Sequence, residues 1–409
     1  MLHRIWLGFF LIAFVAALWQ WLVMGDSAVF QRLIQSSFDM SKLTVELSIG
    51  LIGTLAFWLG MMKLAEASGL VDRIARLLGP LFTRLMPEVP PRHPAIGSMT
   101  MNLSANFLGL DNAATPLGLK AMQDLQSLNP DKETASNAQI LFLVLNTSAV
   151  TLFPITIFLY RAQQGSSDPT AVFIPILIAT SCSTLVGLLV TCWIQRINLL
   201  QRTLLLWFGV GSALLLAFVG YFATLSAEEL QRQSALTGNL LLFSVIILFL
   251  LLAQRRGVNV YETFIEGAKQ GFETAIMIIP YLLAMLVAIG ILRESGALEG
   301  FIWLLREGIG LLGLDTRFAD ALPTALMKPL SGSGARAMML ETMNTHGVDS
   351  FAAQVASIVQ GSTETTFYVL AVYFGAVGIR RTRHAVLCGL SADLAGVTAA
   401  IACGYWFFG

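Results

Sequence analysis

Nine stretches of about 20 mostly apolar residues run through the sequence, at about 5–25, 43–64, 138–160, 171–195, 203–225, 238–254, 272–293, 352–376 and 384–408. A helix needs about 20 such residues to cross the hydrocarbon core of a bilayer. In lipid the backbone must satisfy its own hydrogen bonds, so uninterrupted apolar runs of this length are helices. The chain therefore reads as an all-α polytopic membrane protein with about nine spans, its main partner the lipid bilayer. Only 12% of its residues are charged, against about 25% in soluble domains. Lys+Arg and Asp+Glu are both 25, so no basic field exists to recruit nucleic acid. The first apolar run is too long for a signal peptide and lacks a small-x-small cleavage pattern, so it reads as a retained anchor.

Lys and Arg collect on the cytoplasmic side of membrane proteins. With the N-terminus in the cytoplasm, 16 of the 25 cations fall inside and nine outside; five of those nine crowd into 293–336. The opposite orientation inverts the ratio, so the chain is expected to run N-in and C-out.

Two kinds of segment interrupt the pattern. Residues 69–86 place Leu70, Ile74, Leu77, Leu78, Leu81 and Leu85 at helical spacing with Asp72, Arg73, Arg76 and Arg84 between them, as in an interfacial amphipathic helix. Residues 95–125 and 321–345 are rich in Gly, Ser, Asn and Pro. They suit two re-entrant hairpins, tolerated at membrane depth only where protein or a water-filled cavity covers them.

The halves of the chain resemble each other. Ser68-Gly69 matches Ser295-Gly296 and Leu103-Ser104 matches Leu330-Ser331 at one offset, 227; Ser148, Thr151 and Phe153 match Ser362, Thr365 and Phe367 at offset 214. Phe30, Phe38 and Asp39 match Phe264, Phe272 and Glu273 at offset 234. Each half then reads as a span, a short amphipathic piece, a span, an amphipathic helix, a hairpin and two spans. The halves are 1–196 and 236–409, with a linker span in 197–235. Four spans plus the linker make an odd number, so the second half enters from the opposite side, the inverted-topology repeat of many secondary transporters.

Polar density concentrates at matching places. The first constellation runs Asn102-Leu-Ser104-Ala-Asn106-Phe-Leu-Gly109-Leu-Asp111-Asn112-Ala-Ala-Thr115-Pro116, with the counterpart Lys328-Pro329-Leu-Ser331-Gly332-Ser333-Gly334. Small residues let backbone approach a solute, and Asn and Ser both donate and accept. The alternative is a capped turn or small-residue helix packing. The second constellation is Asn146-Thr147-Ser148-Ala-Val-Thr151, matched by Gln360-Gly361-Ser362-Thr363-Glu364-Thr365-Thr366. A charge at the bilayer centre costs about 2.5–3.5 kcal/mol even on the permissive insertion scale. Glu364 is therefore expected to face a cavity, to be protonated, or to pair with Lys328 or Arg336. Asp111 reads as an ion-coupling residue or a helix cap, and Asp393 and Glu46 as structural acids.

No Walker loop, His-Glu-x-x-His or Gly-x-Ser-x-Gly is present, so no enzyme activity is expected. Neither the four His nor Cys182, Cys192, Cys388 and Cys403 are spaced for a metal or disulfide framework, and no metal or cofactor is expected.

The stretch NLSANFLGLDNAATPLGLKAMQDLQ (102–126) closely resembles the spore maturation protein A family, and PLSGSGA (329–335) with GSTETTFYVLAVYFGAVG (361–378) closely resembles spore maturation protein B. Both carry "nucleoside recognition" or Gate domains, similar to segments of concentrative nucleoside transporters and of the ferrous-iron transporter B membrane domain. The resemblance implies a bacterial inner-membrane protein, by analogy a homo-oligomer, with hairpins and interrupted helices around a substrate. It carries gate roles onto Asn102, Ser104, Asn106, Asp111, Asn112 and Asn146–Ser148, and onto Ser331, Ser333 and Gln360–Thr366. Asp111-Asn112 lack a counterpart in the second half and Glu364 lacks one in the first, so the site is expected to be asymmetric. The function expected is a secondary transporter or gated permease for a small polar solute, nucleoside-like by resemblance, with H+ or Na+ coupled through Glu364 or Asp111. The competing expectation is a membrane scaffold or assembly factor for envelope or spore construction. A transporter shows an aqueous cavity reaching Glu364; a scaffold packs it dry.

Overall fold

The computed structural model describes residues 2–108, 111–148 and 150–409, without side chains at 2, 3, 111–113, 227, 228 and 231. The first half comprises α1 (Leu2–Met24), α2 (Val29–Ala67), α3 (Leu70–Leu85), α4 (Pro94–Leu108), α5 (Asp111–Leu128), α6 (Asn137–Thr147), α7 (Ile155–Gln163) and α8 (Phe173–Gln195). After α9 (Arg202–Ala223) come α10 (Ala227–Arg255), α11 (Val260–Glu294), α12 (Ala297–Leu311), α13 (Leu322–Met327), α14 (Gly332–His346), α15 (Phe351–Ser362), α16 (Thr366–Ala376) and α17 (Ala385–Phe408). Among the described residues, the β pairing is limited to an isolated bridge between Thr134 and Arg381. The protein is an all-α polytopic membrane protein: among the described residues, α1, α2, α8, α9, α10, α11 and α17 are seven helices long and apolar enough to cross a bilayer.

The two remaining apolar stretches are not continuous helices. The stretch at 138–160 is divided between α6, which ends at Thr147, and α7, which starts at Ile155, and the one at 352–376 breaks over 363–365 between α15 and α16. The hydroxyls of Thr147 and Ser148 both donate to the Val144 carbonyl, and that of Ser362 to the Val359 carbonyl. Such side chains compete with the helical ladder, and Pro154 has no N–H to extend it.

Conversely, the amphipathic pieces expected before the spans at 43–64 and 272–293 fuse with them into α2, of 39 residues, and α11, of 35. In α2 the hydroxyls of Ser37, Ser41, Thr44 and Ser48 bond to carbonyls three or four residues back. The polar run is thus satisfied within the helix and does not end it. At 1.5 Å per residue α2 is about 58 Å long, well beyond the hydrocarbon core.

Glycines set how these two helices meet. Gly60 lies against Phe264, Gly267 against Leu59 and Lys63, Gly271 against Leu55 and Ala56, and Gly290 against Met40. Partner numbers fall as the numbering of α11 rises, so α2 and α11 are antiparallel. The same holds for α8 and α17, where Gln195 meets His384, Gly187 meets Ala392 and Ser183 meets Gly396. Contacts between halves are also reciprocal: α1 packs on α11 and α10 on α2, while α6 packs on α17 and α15 on α8. The matched Ser-Gly pairs end the long helices. Gly69 and Gly296 both take φ of 70°, a left-handed conformation that favours glycine. Each turns the chain into the next helix, α3 or α12.

One cluster ties the halves through a fully buried cation. Arg161, at the end of α7, donates to the carbonyls of Pro169 and Val348, to the Ser166 hydroxyl and, at 2.9 Å, to Asp349. Asp349 also accepts from the Ser166 hydroxyl and from the Ser167 hydroxyl and N–H. Burial pushes the Asp349 carboxyl up, but these donors and the Arg161 charge outweigh it and hold it below its ordinary value.

A carboxylate lowered in the folded state adds stability above its unfolded pKa, about 3.9, and that stability is lost as pH falls through the lowered value. Asp349→Asn should therefore lower the melting temperature in detergent at pH 7, and the gap to the parent should shrink as the pH is taken below about 4. A β-carbon at Gly271 would sit 2.5 Å from the Ala56 Cα. Gly271→Val should cost about 1–3 kcal/mol by overpacking, measurable as a lower melting temperature. Gly308→Ala, which meets nothing within 4 Å, is the matched control.

Candidate functional site

The helix breaks are held by backbone hydrogen bonds from their surroundings. Leu152 N–H donates to the Phe107 carbonyl at the end of α4, and Phe367 N–H donates to the Pro329 carbonyl before α14. Each break is thus docked on the hairpin of its own half. Glu364 N–H donates to the Thr147 carbonyl at 2.8 Å, which joins the two breaks to each other. Thr184 of α8 donates to the Ser148 carbonyl.

Beside the breaks lies a cavity of about 410 Å³, within the range of small-molecule sites. Leu51, Leu55, Trp58 and Met62 of α2 line it, with Phe153, Tyr160, and Gln270 and Thr274 of α11. Gln360, Thr363, Glu364 and Thr365 line it from the second break, and Lys328, Gly332 and Arg336 from around the start of α14. Lys63 and Glu66, 3.3 Å apart, stand at its more exposed end.

Glu364 is exposed towards this space. Among the described residues neither its carboxylate nor the Arg336 guanidinium makes an ion pair, so the structural pairing weighed from the sequence is not formed. Arg336 lies 5.5 Å over the ring of Tyr160. The buried oxygen Gln360 Oε1 has no hydrogen-bond partner among the described residues.

The sequence-derived residues fall into three groups. Gln360, Thr363, Glu364 and Thr365 reach the cavity. Asn102, Asn106 and Asn146 form a separate knot: Asn106 Nδ2 donates to Asn146 Oδ1 at 2.7 Å, Tyr373 donates to the same oxygen at 3.3 Å, and Asn102 Nδ2 donates to the Ala114 carbonyl. Phe142 stacks on Tyr373, closing that knot.

The third group lies outside both the cavity and the knot. Ser331 caps α14 through the Gly334 N–H and lies 3.2 Å from Ser333. Ser104 bonds within its own helix, as do Thr147, Ser148 and Ser362. Thr366 donates to the buried Asp393 at 2.7 Å, and Thr115 is exposed on α5, away from the cavity. The side chains of Asp111 and Asn112 lie outside the described residues.

Trp58, Tyr160, Gln270, Thr274 and Tyr373 were not singled out in the sequence. Gln270 and Thr274 at i,i+4 were the one local signal. Tyr373 has none, because its partner Asn146 is 227 residues away.

A family model described as Nucleoside recognition, Gate, matches residues 48–163 and 275–380. The chain belongs to the Gate family. The two matched segments hold α3–α7 and α12–α16, so each Gate segment carries one hairpin and one helix break. The Gate chain is 40% identical over 183 residues to Spore maturation protein A of Bacillus subtilis (strain 168), covering 45% of this chain and 90% of that protein. It is 46% identical over 157 residues to Spore maturation protein B of the same organism, covering 38% of this chain and 86% of that protein. Each relative therefore corresponds to less than half of the chain.

Removing the Thr366 hydroxyl should leave the Asp393 carboxylate without a donor it now has. Thr366→Val should cost about 1–3 kcal/mol, read as a fall in melting temperature, with Thr366→Ser retaining most of the stability.

Proposed function

We propose that the protein is a bacterial inner-membrane transporter or gated permease for a small polar solute, nucleoside-like in its broad class. The observation that carries this reading is the Glu364 carboxylate, exposed without an ion-pair partner in a 410 Å³ cavity beside two helix breaks. A scaffold would have no use for such a space and would pair the acid or replace it. The reading has no enzymatic step. Glu364 is the first candidate for H+ or Na+ coupling and Asp111 the second.

We read the halves, 1–196 and 236–409 with a linker in 197–235, as inverted-topology repeats. Support comes from the antiparallel pairing of α2 with α11 and of α8 with α17, and from the reciprocal contacts between halves. Under this reading α10, which starts at Ala227, is the counterpart of α1. Gln360 lines the open cavity while its counterpart Asn146 is tied to Asn106 and Tyr373. One half is thus open and the other sealed, as alternating access requires. With the N-terminus in the cytoplasm, the C-terminal end of α2 and the cavity mouth at Lys63 and Glu66 face the cytoplasm. The hairpins α4–α5 and α13–α14 are then re-entrant, and assembly as a homo-oligomer completes the proposal.

The names of the two relatives favour a second reading, a membrane factor in spore or envelope maturation that transports nothing. Cysteine accessibility separates the two. With the four native cysteines replaced by Ala, Thr365→Cys in proteoliposomes should react with a membrane-impermeant thiol reagent from the cytoplasmic face, and Asn146→Cys should stay protected. Protection at both positions would assign the scaffold. For a solute that the reconstituted protein carries, Glu364→Gln should reduce flux at least tenfold, roughly the loss of one charge-assisted hydrogen bond.

A further inference from the structure

Two opposite charges line the cavity without neutralising each other. Arg336 projects from the first turns of α14, over the ring of Tyr160. Glu364 stands in the second break, whose N–H is already committed to the Thr147 carbonyl. Lys328, also on the wall, is buried and its charge acts on Asp393. At the mouth, Lys63 is matched by Glu66 and Glu266. Arg336 and Glu364 are the charges left for a ligand.

Charges facing a membrane cavity are costly unless a counter-charge or water meets them. An ion of one sign would satisfy one of these groups and repel the other. The start of α14 also turns Gly332 to the cavity, and a helix N-terminus favours an anion. A ligand is independently called for by Gln360 Oε1, more than nine-tenths buried, on the cavity wall and without a partner among the described residues. It can accept a hydrogen bond from an N–H or O–H of a solute. Trp58 and Phe153 supply an apolar wall for the remainder of a ligand.

We infer that the cavity binds a zwitterion, with its anionic group on Arg336 and the start of α14 and its ammonium on Glu364. The inference rests on the cavity being a solute site, and it narrows the solute from polar to dipolar and charged. An uncharged nucleoside leaves both charges unmet.

The test is binding to the purified full-length protein in lipid-free detergent, by calorimetric titration, with phenylalanine and glycine as zwitterions, benzoate as an anion, phenethylamine as a cation and uridine as an uncharged solute. Glycerophosphoethanolamine in the same panel separates a lipid headgroup from a free zwitterion. A zwitterion should bind at least tenfold tighter than the matching anion or amine. Arg336→Gln should weaken phenylalanine at least tenfold, with Arg336→Lys recovering part of the loss. Glu364→Gln should weaken phenylalanine as much but leave benzoate within about threefold. The melting temperature of each unliganded variant reports whether it has folded. Uridine binding that is indifferent to Arg336→Gln overturns the inference, as do binding of benzoate in preference to phenylalanine and no binding of any zwitterion. Flux in proteoliposomes is scored separately. Zwitterion binding without flux rejects transport but keeps the ligand class, and uridine flux does the reverse.

Discussion

Backbone polar groups in an apolar segment must find partners, because lipid offers none. The arrangement around the helix breaks follows from this requirement. Unwinding between α6 and α7 and over 363–365 frees N–H and carbonyl groups that an unbroken span would have satisfied internally. The carbonyls of Phe107 and Pro329 take up N–H groups from each break, and the Thr147 carbonyl takes the Glu364 N–H. The hairpins are therefore the supports that let the spans open. Where the supports leave space, on the side towards α2 and α11, the 410 Å³ cavity forms.

The chemical difference between the halves matches the difference in their state. Asn106 and Asn146 are neutral groups that both donate and accept, so with Tyr373 they satisfy one another in a small volume. Around the second break stand Lys328, Arg336 and Glu364, whose charges cannot be packed away without precise pairing. Packing asymmetry accompanies this: α7 lies on α2, whereas α16 lies on α5, α6 and α17. Arg161 and Asp349 anchor the end of α7 to the turn before α15, fixing one rim of the open side.

Much of this was legible in local sequence. Apolar run length marked the seven long helices, and the Ser68-Gly69 and Ser295-Gly296 matches marked two true left-handed turns. The polar density at Asn146–Thr151 and Gln360–Thr366 marked both breaks. The stripe assigned to α3 was rotated: Val71, Ala75, Phe82 and Leu85 are buried while Leu77 is 62% exposed, because α3 packs on α4 and not only on an interface. The pieces before the second and seventh spans looked separate because they are polar, although a hydroxyl that bonds back within its own helix need not end it.

By itself the sequence determined which segments are helical and that polar runs recur in both halves, because these depend on residues within a few turns of one another. Only the tertiary structure decided which polar residues face a cavity and which seal a knot. Asn146 and Gln360 belong to matched motifs of similar polarity, yet Asn146 Oδ1 accepts from Asn106 and Tyr373 while Gln360 Oε1 has no partner among the described residues at the cavity wall. The difference comes from partners far apart in the chain, such as Tyr373 on Asn146 and α2 across from the second break. A side chain's hydrogen-bonding capacity is local, but whether that capacity is already spent depends on which helices pack against it.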